Sequence, residues 1–148
     1  MIEIKRASNS DLAHLVPLFD GYRRFYRYAS DIVSEHAFIR DRLVNRDSII
    51  FIAWHEGEAI GFAQLYPTFS SLWMTGVFVL SDLYVAENSR KLGAGRLLLE
   101  AAAQHGRSAG ARYLTLETAR TNLTAQSLYE SCGWTRDLEF YVYELHLR

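Results

Sequence analysis

Residues 82–98 read DLYVAENSRKLGAGRLL, and this stretch passes from an apolar strand-like run through a short basic loop into an apolar helix-like run. Gly93 and Gly95 stand where the helix would begin, close to Arg90 and Arg96. The start of a helix carries unpaired N–H groups and partial positive charge, and glycine lets a ligand approach them because it has no Cβ. The stretch therefore predicts a strand and a helix, joined either by a simple connection or by an anion-binding loop.

The loop does not match the two phosphate-binding patterns that are best defined in sequence. A Walker A loop has Lys and then Ser or Thr after its last glycine, whereas Gly95 is followed by Arg96 and Leu97. The dinucleotide fingerprint needs a third glycine, where this chain has Leu98. What remains is an Arg-x-x-Gly-x-Gly pattern that opens a helix.

The segments on either side of this stretch predict a mixed sheet with helices packed on it, an α/β (α+β) fold. Apolar residues recur every second position in strands and every third or fourth in helices. Strands are predicted over residues 2–7, 48–55, 58–66, 73–86, 112–118 and 140–147. Helices are predicted over residues 12–26, 34–46, 93–109 and 122–131.

Several local signals refine these elements. Pro17 predicts a kink in the first helix or a late start, because proline lacks the N–H group that a helix interior needs. Ser34 is expected to cap the second helix, and residues 67–71 are expected to interrupt the sheet. Gly76 and the pair at 81–82 indicate a bulge or a bend in the strand before the loop.

The composition is that of one folded domain spanning residues 1–148. Of the 148 residues, 49% are hydrophobic and 22% are charged, and 16 basic residues nearly balance 17 acidic ones, so no nucleic-acid partner is predicted. Cys132 is the single cysteine, so no internal disulfide can form. With no apolar run near the ~20 residues of a membrane span and no apolar leader, we expect a soluble cytoplasmic protein without a membrane partner.

A second motif follows the loop. Residues 121–134 read TNLTAQSLYESCGW, and together with the strand and loop at 82–96 they resemble the GNAT superfamily of acyl-CoA-dependent N-acetyltransferases. The motif at 82–95 is most similar to the polyamine and histone acetyltransferase branch. The resemblance implies a three-layer fold with a mixed central sheet of about six or seven strands and about four helices. It also implies that the sheet splays between the strands at 83–86 and 113–118, where acetyl-CoA inserts.

The resemblance also implies which residues bind acetyl-CoA. Strand residues 83–85 would offer backbone groups to the pantetheine arm, the loop from 90 to 96 would wrap the pyrophosphate, and Asn122 would contact the arm from the next helix. Tyr129 matches the usual general acid of the family. The implied cofactor-binding set is Leu83, Tyr84, Val85, Arg90, Lys91, Leu92, Gly93, Ala94, Gly95, Arg96, Asn122, Ala125 and Tyr129.

Acetyl transfer to an amine requires a route for a proton, because an ammonium group with a pKa near ~10.4 has no free electron pair. Polyamine acetyltransferases commonly carry a glutamate at the position that Ser81 occupies here, beside Asp82. The base is therefore left open among Asp82, Glu117 on the neighbouring strand, and a water path. The five histidines show no metal-ligand spacing, so no metal is expected.

In this superfamily the acceptor pocket forms from the first two helices, the central strands and the C-terminal hairpin, and here that region is aromatic and mildly acidic. Tyr22, Tyr26, Asp31 and Tyr66 are the candidate substrate residues, because aromatic faces and carboxylates attract an amine cation. Three arginines in the run YRRFYRY at 22–28 disfavour a highly positive substrate.

A small-molecule amine such as a polyamine or an amino acid, attacked directly in a ternary complex, is the preferred acceptor. A protein lysine or N-terminus, including a histone, is the alternative. A non-catalytic acyl-CoA-binding or protein-interaction module is the alternative of another class. If the aromatic strand predicted at 140–147 lies at a sheet edge, pairing with a second copy gives a homodimer.

Overall fold

The computed structural model describes all residues from 1 to 148, which group into two compact units, Met1–Glu117 and Thr118–Arg148. The first unit contains five strands, β1 Ile2–Arg6, β2 Ile49–His55, β3 Glu58–Ser70, β4 Thr75–Val85 and β5 Leu114–Thr115. It also contains three α-helices, α1 Leu12–Phe25, α2 Ile32–Asn45 and α3 Ala94–Ser108. The second unit contains the fourth helix, α4 Leu123–Ser131. The organisation as one domain stays a prediction.

The five strands form one mixed sheet in the order β1-β2-β3-β4-β5. The first four are antiparallel to their neighbours, and β5 runs parallel to β4. Pairing between β4 and β5 joins Phe78 to Leu114 and Val79 to Thr115. The mixed sheet with four helices confirms the predicted α+β class.

Helices cover both faces of the sheet. Ile50 and Ile52 of β2 belong to a buried cluster with Leu15 of α1, whereas the ring of Phe51 lies 6.0 Å from the ring of His105 on α3. Consecutive strand residues point to opposite faces. Helix α1 therefore packs on one face of the sheet and α3 on the other.

A β-bulge interrupts β4 at Ser81. Gln64 of β3 pairs with Asp82 and the next residue, Leu65, pairs with Leu80, so Ser81 has no partner in the ladder. The bulge predicted around residues 81–82 is confirmed. At Gly76, by contrast, the pairing is regular, with Phe69 opposite it.

The bulge changes which face the following residues occupy. Phe78 and Tyr84 are an even number of residues apart and would share a face in a regular strand. Instead, Phe78 contacts His105 of α3, while the hydroxyl of Tyr84 lies 2.6 Å from where a Cβ on Gly21 of α1 would stand. Asp82, two residues before Tyr84, is thereby turned onto the face that α1 covers.

Helix α1 begins at Leu12, as predicted, and runs through Pro17, so the alternative of a late start is wrong. The missing proline N–H costs only the bond to the carbonyl four residues earlier, in the first turn. Helix α2 begins at Ile32, and its cap is Asp31 rather than Ser34, because the Asp31 carboxylate accepts the Ser34 N–H at 3.2 Å.

The predicted extent of the sheet is also corrected. Strand β3 continues through Pro67 to Ser70, because β2 pairs with β3 only as far as Leu65 and the missing proline N–H costs no bond to that neighbour.

The sheet has five strands rather than six or seven, since residues 140–147 form no strand and the strand at 112–118 shortens to β5. Alternation of side chains does not by itself supply the hydrogen-bonded neighbour that a strand requires. The homodimer expected from residues 140–147 stays a prediction and loses that support.

No helix in the chain combines the length and the apolar character needed to cross a lipid bilayer.

Candidate active site

The bulge in β4 places one carboxyl group inside the protein. Asp82 is 4% exposed, and its Oδ2 accepts a hydrogen bond from Gln64 Nε2 at 2.6 Å. Burial raises the pKa of the Asp82 carboxyl, and the hydrogen bond from Gln64 opposes that rise only in part. A carboxyl group whose pKa is moved toward neutrality is suited to accept a proton at physiological pH.

A row of buried polar side chains leads from this carboxyl group across the sheet. Gln64 is fully buried, and its Oε1 accepts a hydrogen bond from Ser48 Oγ at 2.8 Å. Ser48 directly precedes β2, so the row crosses from β2 through β3 to Asp82 on β4. Gln64 and Ser48 are not among the residues predicted from the sequence. The available signal was a glutamine with strand spacing between Phe62 and Tyr66, on an otherwise apolar face.

Three predicted substrate residues lie around Asp82. Tyr22 lies on α1 and Tyr26 directly follows that helix, with their rings 5.2 Å apart, and Tyr66 comes from β3. Burial raises the pKa of each tyrosine, and the negative charge of Asp82 raises it further, in the case of Tyr66 to about 12. The three tyrosines therefore stay protonated and neutral near pH 7, and present aromatic faces and hydroxyl groups.

The fourth predicted substrate residue, Asp31, lies at the start of α2. Asp31 is fully exposed at the start of α2, where hydrogen bonds from the side chain and the backbone of Ser34 lower the pKa of its carboxyl group. Its charge stabilises the helix start. The structure does not bring Asp31 to the carboxyl group of Asp82.

Two buried acidic residues, Glu35 on α2 and Asp20 on α1, were also not predicted from the sequence. Glu35 is 2% exposed and its Oε2 accepts a hydrogen bond from Arg23 Nη1 at 2.8 Å. Asp20 is buried and accepts from Arg24 Nε at 2.9 Å and from Ser30 Oγ at 2.6 Å. Two of the three arginines that were counted against a cationic substrate, Arg23 and Arg24, are therefore paired with carboxylates. Sequence reasoning could not find these pairs, because each partner has several alternatives nearby.

The loop that opens α3 has the backbone of a helix start. Gly93 is the N-cap with a φ of 92°, a left-handed conformation that favours glycine, and its carbonyl accepts the Leu97 N–H at 3.2 Å. A Cβ at Gly93 would have no atom within 4 Å, so the backbone is open to an approaching group on that side. The predicted beginning of this helix is confirmed.

Arg90 connects this loop to two other elements. Its Nε donates to the carbonyl of Val85 at 2.9 Å, and its guanidinium lies 5.4 Å from the ring centre of Phe25 on α1 and 5.7 Å from that of Tyr84 on β4. The hydrogen bond uses one of the five N–H donors of the guanidinium group. Arg90 thus holds the loop against the end of β4 and of α1.

The strand residues predicted to contact the pantetheine arm lie beyond the β4–β5 pairing. Leu83, Tyr84 and Val85 pair with β3, whereas the register between β4 and β5 ends at Val79. Glu117, the other candidate base, is exposed and lies two residues after β5.

The second unit contains the remaining predicted residues. Asn122 caps α4, and its Oδ1 accepts the Ala125 N–H at 3.2 Å. Tyr129 lies on the same helix, with its ring 6.1 Å from that of Trp134. The helix predicted at 122–131 is confirmed, whereas the catalytic and binding roles of its residues stay predictions.

Comparison with known proteins returns acetyltransferases. The model of the acetyltransferase (GNAT) family matches residues 15–134. The uncharacterized N-acetyltransferase YhfO of Bacillus subtilis is 47% identical over 146 residues, which cover 99% of this chain and 98% of that protein. The crystal structure of a probable acetyltransferase has a TM-score of 0.94 and 38% identity, covering 99% of this chain and 98% of the other. The D-amino-acid N-acetyltransferase HPA3 of Saccharomyces cerevisiae is 33% identical over 85 residues, 57% of this chain and 53% of the yeast protein.

Proposed function

The chain belongs to the acetyltransferase (GNAT) family, and from that premise we propose that it transfers the acetyl group of acetyl-CoA to the primary amine of a small molecule, with Asp82 as the proton acceptor. The general activity, acetyl-CoA-dependent N-acetyl transfer, is that of its family. The observation that carries the finer proposal is the buried Asp82 carboxyl group with three neutral tyrosines around it.

The reaction we propose is a direct attack of the amine on acetyl-CoA, in which each transferred proton has a donor and an acceptor. Acetyl-CoA supplies a thioester, whose carbonyl carbon the amine attacks. A new N–C bond forms and the C–S bond breaks. The amine arrives as an ammonium ion and gives up two protons in all. Asp82 accepts one, directly or through water, and passes it to solvent. Tyr129 gives a proton to the leaving sulfur, and the second amine proton, carried by water, restores the Tyr129 hydroxyl group.

The binding of acetyl-CoA is proposed for the end of β4 and the loop before α3. Residues 83–85 offer strand backbone on the side where β4 has no β5 partner, and the loop from Arg90 to Arg96 would hold the pyrophosphate. Gly93 supports this assignment, because its left-handed backbone starts the helix and leaves open space where a side chain would stand. Asn122, Ala125 and Tyr129 are assigned to the same substrate from their motif.

The neutral tyrosines favour a small amine as the acceptor. Tyr22, Tyr26 and Tyr66 offer aromatic faces for a cation and hydroxyl groups for hydrogen bonds, while Asp82 offers one carboxyl group. The polyamine-like motif at 82–95 supports a small amine, and so does the yeast relative, a D-amino-acid N-acetyltransferase. One buried carboxyl group matches a single amine better than an extended basic peptide, which needs a broad acidic surface.

The experiment is release of free thiol from acetyl-CoA in the presence of an amine panel. The panel contains polyamines, L- and D-amino acids and a lysine peptide. We expect release with a small amine, and a loss of kcat/KM of about 100-fold or more in Asp82→Asn with acetyl-CoA binding retained. Asp47→Asn is the control, because Asp47 forms a surface ion pair with Arg42.

Three other outcomes would contradict the proposal. Release only with the lysine peptide indicates a protein acceptor. Binding of acetyl-CoA without release under any condition indicates a non-catalytic module. An Asp82→Asn variant with wild-type kcat/KM removes Asp82 as the base.

A further inference from the structure

The hydrogen bonds from Ser48 to Gln64 and from Gln64 to Asp82 form one continuous chain through the interior. The three residues are 8%, 0% and 4% exposed, and the two bonds measure 2.8 and 2.6 Å. Gln64 uses both ends of its amide group, because its oxygen accepts from Ser48 and its nitrogen donates to Asp82. A buried chain of this kind gives each group one preferred orientation.

The orientation of the Gln64 amide depends on the Ser48 hydroxyl. With its nitrogen toward Asp82, the amide stabilises a carboxylate, which can only accept hydrogen bonds. With its oxygen toward Asp82, the amide would instead stabilise the protonated carboxylic acid. Donation from Ser48 satisfies the buried amide oxygen in the first orientation, and an unsatisfied buried oxygen would be costly.

We propose that Ser48 and Gln64 are positioning residues that keep Asp82 in its anionic, proton-accepting form. This inference rests on the proposed function in one respect, the role of Asp82 as base. Neither residue needs to touch the amine or acetyl-CoA. Ser48 acts on Asp82 only through the Gln64 amide.

The negative charge of Asp82 is stabilised by hydrogen bonds. Tyr22 on α1, Tyr26 at the end of that helix and Tyr66 on β3 surround the carboxyl group, and all three are neutral near pH 7. Helix α3 packs on the opposite face of the sheet, and the β5 residues paired with β4 are a leucine and a threonine. The hydrogen-bond partners of Asp82 include no cation, so the Gln64 N–H bond is a principal support of its negative charge.

The test is Ser48→Ala, compared with Ser48→Thr, which keeps a hydroxyl group. In Ser48→Ala the amide oxygen loses its donor, so the midpoint of the acid limb of kcat/KM against pH should rise by about one pH unit. Ser48→Thr should restore the wild-type midpoint. Ser30→Ala is the matched control, because it removes a hydroxyl group from another buried aspartate, Asp20, and should leave the midpoint unchanged.

A second measurement does not depend on activity. The carboxyl carbon of Asp82 is titrated by NMR in chains labelled at aspartate, with Asp82→Asn identifying its signal. The midpoint should rise in Ser48→Ala and rise further in Gln64→Leu, which removes the amide at similar volume. An Asp82 midpoint that is the same in wild type and both variants overturns the inference.

The two measurements separate the inference from the proposed function. A shifted Asp82 titration in Ser48→Ala, with full activity in Asp82→Asn, upholds the hydrogen-bond chain and rejects Asp82 as the base. An inactive Asp82→Asn with an unshifted titration upholds the base and rejects the role of Ser48 and Gln64.

Discussion

The hydroxyl group of Tyr22 on α1 donates a hydrogen bond to the backbone carbonyl of Ser81, the bulged residue of β4, at 3.0 Å. A bulged residue lacks its ladder partner, and Tyr22 supplies a replacement donor. The Tyr22 ring also packs 5.9 Å from the ring of Phe62 in the core. The residue that is assigned to substrate binding therefore also holds the bulge that turns Asp82 toward α1.

Removal of this hydroxyl group should weaken both the fold and the site. In Tyr22→Phe the ring remains while the bond to Ser81 is lost, so the free energy of unfolding should fall by about 1 kcal/mol. The kcat/KM for the amine should also fall, because the bulge that orients Asp82 loses a support. Urea unfolding and thiol release measure the two effects. Tyr28→Phe, at an exposed tyrosine, is the control, and equal losses in both variants would contradict a special role for Tyr22.

The raised pKa of Asp82 predicts how stability depends on pH. The folded protein binds this proton more tightly than the unfolded chain, whose carboxyl group has its ordinary pKa of 3.8. The stabilising contribution is therefore complete below that pH and is lost as the pH rises through the folded value. Relative to wild type, Asp82→Asn should become increasingly stable as the pH rises above 3.8, measured as the difference in urea midpoints.

Asp20 provides a control of opposite sign. A hydrogen bond from Ser30 is the largest factor that lowers the pKa of the Asp20 carboxyl, so its contribution is present above pH 3.8 and is lost as the pH falls through the folded value. Asp20→Asn should therefore lose stability relative to wild type at neutral pH, with a smaller difference in acid. The same trend in both variants would contradict the description of at least one of the two carboxyl groups.

Features with a local signal in the sequence are the ones that could be predicted. Tyr22 and Tyr26 are four residues apart on a helix and so had to share a face, and the glycine at position 93 marked the start of α3. The bulge was signalled by a polar pair, Ser81 and Asp82, inside an apolar strand. Such features depend on neighbours within one turn or one strand, which the residue order already contains.

Contacts between distant segments could not be predicted in this way. Gln64 meets Ser48 across 16 residues and Asp82 across 18, and the choice of partners depends on strand register. Asp31 was assigned to the substrate because it is acidic and close to tyrosines in sequence. Its position one residue before α2 makes it the cap of that helix, which the predicted cap three residues later, at Ser34, concealed. The role of Asp31 at the substrate stays a prediction.

The ion pair between Arg23 and Glu35 should be costly to break from one side. Arg23→Met removes the partner of a carboxylate that is almost fully buried, and leaves an uncompensated charge between α1 and α2. The free energy of unfolding should fall by about 3 kcal/mol. Arg40→Met breaks an exposed pair with Asp41 and should cost less than about 1 kcal/mol. Similar losses in the two variants would show that burial does not make the pair between Arg23 and Glu35 more costly to break.

Gly95 should separate the stability of α3 from the binding of CoA. It is the second residue of the helix, so its N–H has no intrahelical acceptor. Gly95→Ala should stabilise the free protein by up to about 1 kcal/mol, because alanine is the better helix former. The rise in melting temperature on adding CoA should nevertheless shrink, since the new methyl group stands near the proposed pyrophosphate position.

Ser108→Ala at the other end of α3 is the control for that experiment. It changes helix propensity at a distance from the loop, so its response to CoA should equal that of wild type. If Gly95→Ala also responds like wild type, the pyrophosphate does not approach the backbone at Gly95.

Tyr129 is predicted to protonate the leaving sulfur, and a phenylalanine tests that role directly. Tyr129→Phe keeps the ring beside Trp134 and removes only the hydroxyl group. Without the acid the C–S bond breaks to give an unprotonated thiolate, so kcat should fall by about 100-fold. The affinity for CoA, measured by calorimetry, should change far less, because the hydroxyl group acts on the reacting sulfur. Tyr143→Phe, at an exposed tyrosine of the same unit, should leave both quantities unchanged, whereas an unchanged kcat in Tyr129→Phe would assign the proton to water.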